Sequence, residues 1–269
     1  RAESEVILCA GPIMTPQLLE LSGIGNPDIL KNAGITPLAN LPGVGENLQD
    51  HLQVRITYEC NLPITVNDML NSKWRGMLSG MQYMLTRRGL LSTGSVSVHA
   101  ITPETMESTT PTLKMQLAHV SGADRYAITG GSGVDPHPGF AIGTFNLHPD
   151  SRGTLHVTSA DPIVPPKIHV NYLSTERDLA LSLAALKLTR EVAQQPALKE
   201  VTVREVLPGP DAVTDEDLIS YIRSSGQSSW HPIGTCKMGS DSMAVVDHEL
   251  KVHGIVGLRV ADSSIFPHH

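Results

Sequence analysis

From Leu52 onward the apolar residues of this chain recur at every second position, and that period of two constrains the fold more than any other feature. Leu52, Val54, Ile56 and Tyr58 alternate with polar residues, as do Leu113, Met115 and Leu117, then Leu155 and Val157, then Val201 and Val203. Successive side chains of a strand point to opposite faces, so such alternation predicts strands with one covered face. The expected structure is an antiparallel sheet with helices on one face and a cavity on the other. The flanks read differently. Glu5 to Ala10 and Leu258 to Ala261 are short apolar runs of the kind buried on both faces of a parallel sheet. The fold class is therefore α/β plus α+β.

Helix signals fill the intervals. Thr15 is placed to cap a helix with Pro16 in its first turn and Gly23 beyond its end, and Asn26, Pro27 and Gly34 repeat the arrangement. Thr175 with Asp178, and Thr214 with Asp217, form capping-box patterns ahead of Leu179, Leu183, Leu186 and Ala193, and of Leu218 and Ile222. Met69 to Arg88 is a methionine-rich helical stretch, while Gly130 to Gly133 and Asp135 to Pro138 read as a mobile loop. The domain order that follows is 1–51, a nucleotide-binding layer; 52–224, the alternating sheet; and 225–269, a return to the first layer.

Composition removes several function classes. A formal charge of −7, with no basic cluster longer than Arg87-Arg88, argues against nucleic acid or an anionic membrane as partner. No apolar stretch approaches the ~20 residues that cross a bilayer. Cys9, Cys60 and Cys236 cannot form an even disulfide framework and lack metal-ligand spacing, so they read as free thiols and no metal site is expected.

The residues that carry chemistry lie near the end of the chain. Ser228-Ser229-Trp230-His231-Pro232-Ile233-Gly234-Thr235-Cys236-Lys237-Met238-Gly239 sets a histidine between an aromatic ring and a proline turn, as a proton-abstracting site requires. Leu258 to Ala261 then ends in Asp262 and a turn, the strand edge at which α/β sheets place ligands. These two runs resemble the C-terminal signature of the glucose-methanol-choline (GMC) flavoprotein oxidoreductases. Gly11 to Gly25, Leu41-Pro-Gly-Val-Gly-Glu-Asn-Leu-Gln-Asp-His51 and Pro165 to Asp178 are similar to further segments of that family, in the same order. The details around His231 are nearest the bacterial-type alcohol and choline dehydrogenase branch. The stretch from about Asn61 to Asp161 is far less specific.

The chain also departs from the family pattern. No Gly-x-Gly-x-x-Gly fingerprint opens it, the first residue is Arg1, and it stops at His269, ahead of the family's second catalytic His or Asn. It reads as the C-terminal portion of a longer flavoenzyme, with the N-terminal segment a possible separate chain. Any targeting segment would lie upstream, which leaves location open with the cytoplasm as default.

The resemblance implies FAD as cofactor, part of a Rossmann-like FAD-binding layer, and an antiparallel-sheet substrate domain. It implies oxidation of an alcohol CH–OH group, preferably a primary alcohol, with oxygen or a quinone as acceptor. His231 would be the catalytic proton acceptor, since a neutral imidazole is suited to take the hydroxyl proton. Trp230 would pack beside the isoalloxazine, Ala261 and Asp262 would meet the cofactor at the strand end, and Ala10 and Gly11 would allow close backbone approach. Asn47, Asp50 and His51 read as structural, with His51 the less favoured candidate base. His268 and His269 are expected to be loosely held. Choline is disfavoured among alcohols, because a quaternary ammonium needs an aromatic cage or a carboxylate and aromatics make up only 4% of the chain. Two alternatives stay open: a non-redox lyase that cleaves cyanohydrins over a structural FAD, and an inactive fragment acting only as a partner chain.

Overall fold

The computed structural model describes residues 2–94, 96–105, 109–122 and 133–269. Its elements run β1 (Val6–Leu8), α1 (Gly11–Leu21), β2 (Ile24–Gly25), α2 (Pro27–Asn32), β3 (Ala39–Asn40), β4 (Leu52–Cys60), α3 (Val66–Asn71) and α4 (Lys73–Thr86). There follow β5 (Val96–Thr102), β6 (Leu113–Ala118), β7 (Gly139–Asn146), β8 (Thr154–His156), β9 (Lys167–His169) and α5 (Glu176–Ala193). The last are α6 (Pro196–Lys199), β10 (Thr202–Leu207), α7 (Asp215–Ser225), β11 (Gln227–Ser228) and β12 (Leu258–Val260). They form two compact units: Arg1–His51 with His148–Asp178 and Ser228–His269, and Leu52–Leu147 with Leu179–Gln227.

In the second unit the strands are ordered β10-β4-β7-β6-β5, each pairing along that order antiparallel, and β11 also pairs with β4. The alternation seen in sequence places Val54, Ile56 and Tyr58 in the core of β4, each at most 2% exposed, which contributes on the order of 1.5–3 kcal/mol per side chain. The opposite face is not solvated: Gln53 and Thr57 are buried too, with Gln53 Nε2 and Thr57 Oγ1 lacking a hydrogen-bond partner. Strand β7 is buried along its whole length between β4 and β6. Helix α5 covers the sheet by packing Leu181 and Ala185 on Leu113. Thr214 and Asp217 close the capping box of α7 reciprocally. The helical stretch expected over Met69 to Arg88 is two helices, broken at Ser72, whose extended backbone lets its hydroxyl accept the N–H of Arg75 and start α4. Of the expected loop, residues 130–132 lie outside the described residues.

The first unit is built from shorter pieces. β1 and β12 pair in parallel, Val6 with Leu258 and Leu8 with Val260, as the two apolar runs predicted. They are not buried on both faces: in this two-stranded sheet Val6 is 45% and Ile7 50% exposed. Leu19, Val44, Cys236, Val245, Val246, Val252 and Val260 form the core beneath. Leu155 and Val157, read from sequence as part of the alternating sheet, belong here instead. β8 pairs with β9, and the segment His148–Asp178 is part of the first unit. Two residues of alternation cannot say which sheet a strand joins.

Helix α1 starts four residues before the expected cap. Ala10 is its N-cap, Pro12 fills its first turn, and Thr15 and Pro16 lie inside it. An interior proline removes the hydrogen bond to the carbonyl four residues earlier. Here that carbonyl, of Pro12, accepts a hydrogen bond from Thr235 Oγ1 at 2.7 Å, which replaces what Pro16 cannot give. Asn26 caps α2 as expected, accepting the N–H of Asp28.

Candidate active site

Both groups of sequence-marked residues fall in the first unit. One group gathers where β1 and β12 end. Ala261 N–H donates to Leu8 O and so extends the parallel pairing by one residue. Asp262 Oδ2 then accepts the N–H of Gly11 at 3.0 Å and the hydroxyl of Thr15 at 2.6 Å, while Thr15 Oγ1 accepts the N–H of Ala10. Its Oδ1 accepts the N–H of Ser264 and caps the single 3₁₀ turn Ser263–Ile265. A carboxylate at the start of α1 is favoured by the helix dipole. With those donors on its oxygens, Asp262 acts by fixing the first turn of α1. Gly11 has φ +83°, a conformation that penalises a side chain, and a Cβ added there would meet open space.

The second group surrounds His231. Residues 47–51 pair antiparallel with 229–234 through Gln49 and Ile233, and Ser229 N–H donates to His51 O. At the centre lies Asp50, only 6% exposed. Its Oδ1 accepts the backbone N–H groups of His51 and His231, each at 2.9 Å. Its Oδ2 accepts the hydroxyls of Tyr172 and, at 2.5 Å, Ser228. Ser228 Oγ in turn accepts the N–H of Trp230, holding that residue at φ +60°, the left-handed region that a bulky side chain avoids. The outcome is a Trp230 51% exposed beside an exposed His231.

His231 does not stand alone. Its Nδ1 lies 3.0 Å from Nδ1 of His51, and the two rings meet edge-on with centroids 5.3 Å apart. His269 packs its ring on His51 at a centroid distance of 3.9 Å, and its carbonyl oxygen accepts from His148 Nδ1. It is therefore held, contrary to the looseness expected. Burial, and then the charges of His51 and His231, push the His269 imidazole down to about 3.

The two groups are joined. Gly234 N–H donates to Ser263 O, Cys236 N–H to Ser264 O and Met238 N–H to Ile265 O, so the loop after His231 runs beside the turn after Asp262. An apolar cavity of about 330 Å³ lies along this surface, lined by Ile13, Leu48, Leu155, Trp230 and Pro232 with Asp50 and Tyr172 at its wall. Sequence reasoning picked out His231, Trp230, Ala10, Gly11, Ala261 and Asp262, read Asp50 and His51 as structural, and gave Tyr172 no role. Asp50 lies in the family-like run Leu41 to His51 and Tyr172 in Pro165 to Asp178, and neither run tells what its side chains meet. Among the described residues no group of three His, Cys, Asp or Glu side chains is placed to hold a metal ion.

Comparison with known proteins gives the family. Two family models, both described as GMC oxidoreductase, match residues 1–53 and 149–269. An oxygen-dependent choline dehydrogenase of Vibrio vulnificus is 42% identical over 268 residues, which is 99% of this chain and 47% of that protein. One of Photobacterium profundum is 41% identical over 268 residues, covering 99% of this chain and 46% of the relative. The chain thus spans about half the length of the curated relatives it matches. Among solved structures, pyridoxine 4-oxidase from "Mesorbium loti" superposes with a TM-score of 0.79 at 27% identity, over 98% of this chain and 47% of that one. A fungal aryl-alcohol oxidase superposes with a TM-score of 0.78 at 25% identity, over 98% of this chain and 51% of that one. The chain belongs to the GMC oxidoreductase family.

Proposed function

We propose that this chain supplies the proton acceptor and part of the cofactor-binding surface for FAD-dependent oxidation of a primary alcohol. The observation that carries the proposal is His231, exposed beside an apolar cavity and held by its own backbone N–H on the buried carboxylate of Asp50. The residues fit the cofactor on a structural criterion. The space beyond Gly11 is open, the first turn of α1 faces it, and Asp262 fixes that turn. Ala10 and Ala261 end adjacent parallel strands there, the position at which such sheets take nucleotide ligands. FAD, when bound, supplies the hydride acceptor. This chain's own part is to orient the alcohol and to take its hydroxyl proton on His231, while Trp230, Pro232 and Ile13 exclude water from the apolar wall.

The second unit would bind substrate and the first would hold the cofactor. Choline returns to the panel of alcohols, because relatives at 41–42% identity are named as choline dehydrogenases. The word "oxygen-dependent" in those names makes oxygen the first acceptor to try, ahead of a quinone. The exposed Val6 and Ile7 favour one further element of the proposal, a segment or chain that completes the β1–β12 sheet.

The experiment is to purify the protein, record its flavin spectrum, and add choline and other primary alcohols without oxygen. Bleaching of the flavin is the expected result. Flavin that binds and stays oxidised with every alcohol would favour the cyanohydrin-cleaving alternative. In an active enzyme His231→Ala is expected to slow flavin reduction by ~10²–10⁴-fold, the usual contribution of a general base.

A further inference from the structure

The contact between His51 and His231 says more than that two histidines are neighbours. With the Nδ1 atoms 3.0 Å apart, two lone pairs or two N–H groups would repel, so one proton lies between the rings, donated by one and accepted by the other. The backbones hold the contact in place, since both residues donate their N–H to the same oxygen, Oδ1 of Asp50.

Two arrangements of that proton exist, with opposite consequences. If His51 donates, His231 accepts at Nδ1 and carries its own proton on Nε2, which removes the basic lone pair from that nitrogen. If His231 donates, its lone pair is at Nε2.

We propose that His51 is a positioning residue that fixes His231 in the Nδ1–H tautomer by accepting its hydrogen bond. This rests on the reading of His231 as proton acceptor. In the proton-transfer step the alcohol O–H bond breaks, a bond forms between that proton and His231 Nε2, and the Nδ1–H stays on His231. The imidazolium so formed donates to a neutral His51, and a charge-assisted hydrogen bond is stronger than the neutral one it replaces. A partner that orients the base from its far nitrogen is the same logic by which a carboxylate orients the histidine of a serine protease.

The Asp50 carboxylate lies at the two backbone N–H groups, and the His269 ring packs on His51. Arg152 and His148 act on His269, which with its imidazole at about 3 stays neutral near pH 7 and adds no charge to the pair.

The test is nitrogen-15 NMR of the histidine-labelled 269-residue chain, with long-range proton correlations recorded from mildly acidic to mildly basic pH. Once neutral, His231 is expected in the Nδ1–H form. His51→Phe should return it to the Nε2–H form that free histidine favours in water, and His51→Gln, whose amide oxygen can accept, should restore Nδ1–H. An Nε2–H His231 in the wild-type chain, a reading that needs no variant to fold, would overturn the proposal. So would a tautomer indifferent to His51→Phe. In flavin-bound enzyme His51→Phe should lower kcat/KM by ~10²-fold, displace the pH profile, and recover in part with glutamine. The two readings separate cleanly. An Nδ1–H His231 in a flavin-bound enzyme that no alcohol reduces supports the tautomer assignment and sinks the functional one, and alcohol oxidation by an Nε2–H His231 does the reverse.

Discussion

The two units of this chain are held together by different means. The second is a sheet whose long strands satisfy their backbone groups with one another; in β4 the apolar residues face inward by simple alternation, while Val98, Ile101 and Val203 on the outer strands β5 and β10 are exposed. The first has strands of only two or three residues, and side chains such as Asp50, Asp262, Asn47 and Thr235 close its loops over separations of a hundred residues or more. In the sheet many weak contacts share the load, so volume is what matters. In the loops a few polar atoms each fix several segments, so hydrogen-bond identity is what matters. The site lies in the second kind of structure, where one carboxylate can place both a tryptophan and a histidine.

Asp50→Ala should have the largest effect. It removes the acceptor of the backbone N–H groups of His51 and His231 and of the hydroxyls of Tyr172 and Ser228. At about 1–3 kcal/mol per unmet buried group, partly relieved by water, the loss should reach ~4 kcal/mol. Hydrogen exchange should show it concentrated in 47–51 and 228–234. The counterpart in the sheet is Ile56→Ala, at a residue 0% exposed, with an expected loss of ~3 kcal/mol in denaturant unfolding. Its exchange should rise across β4 and β7 together and leave the His231 resonances in place. Either change spreading through both units would mean that the two are not held by different means.

A smaller effect isolates a single bond. Thr235→Val keeps shape and removes the donor to Pro12 O, in a helix turn that Pro16 already leaves unsatisfied. A cost of ~1–2 kcal/mol is expected, read as a lowered Tm, with faster exchange confined to the first turn of α1.

The smallest effect concerns pH. Burial pushes the His156 imidazole down, but hydrogen bonds and charge from Glu20 and Glu46 outweigh it, so its pKa lies above the ordinary 6.5. A raised value in the folded state means that protonated His156 stabilises the fold fully below about 6.5, and that this contribution is lost as pH rises through the folded value. Unfolding measured across that window should show stability falling toward basic pH, and His156→Gln should flatten this part of the profile.

Much of this was legible in the sequence, for reasons that differ by residue. The capping box at Thr214 and the alternation of Val54, Ile56 and Tyr58 are local, so the period and the cap residue suffice. The cap assigned to Thr15 was wrong because Thr, Pro and Gly at helix-start spacing cannot reveal that a distant hydroxyl, on Thr235, will meet the carbonyl that the proline strands. Leu155 was placed in the wrong sheet because its alternation is too short to carry a partner's identity. His231 and Asp262 were found through their motifs, yet their partners were not, since Asp50 and His51 precede His231 by about 180 residues.

What the sequence determined by itself is the family, the two kinds of strand pattern and the candidates for the site, because composition, period and motif are properties of neighbouring positions. What only the tertiary structure decided is which polar atoms meet: that Asp262 fixes α1, that Asp50 holds His51 and His231 on one oxygen, and that the Nδ1 atoms of the two imidazoles lie 3.0 Å apart. Hydrogen bonds act over about 3 Å and require angle as well as distance, and no spacing along a chain encodes either across two hundred residues.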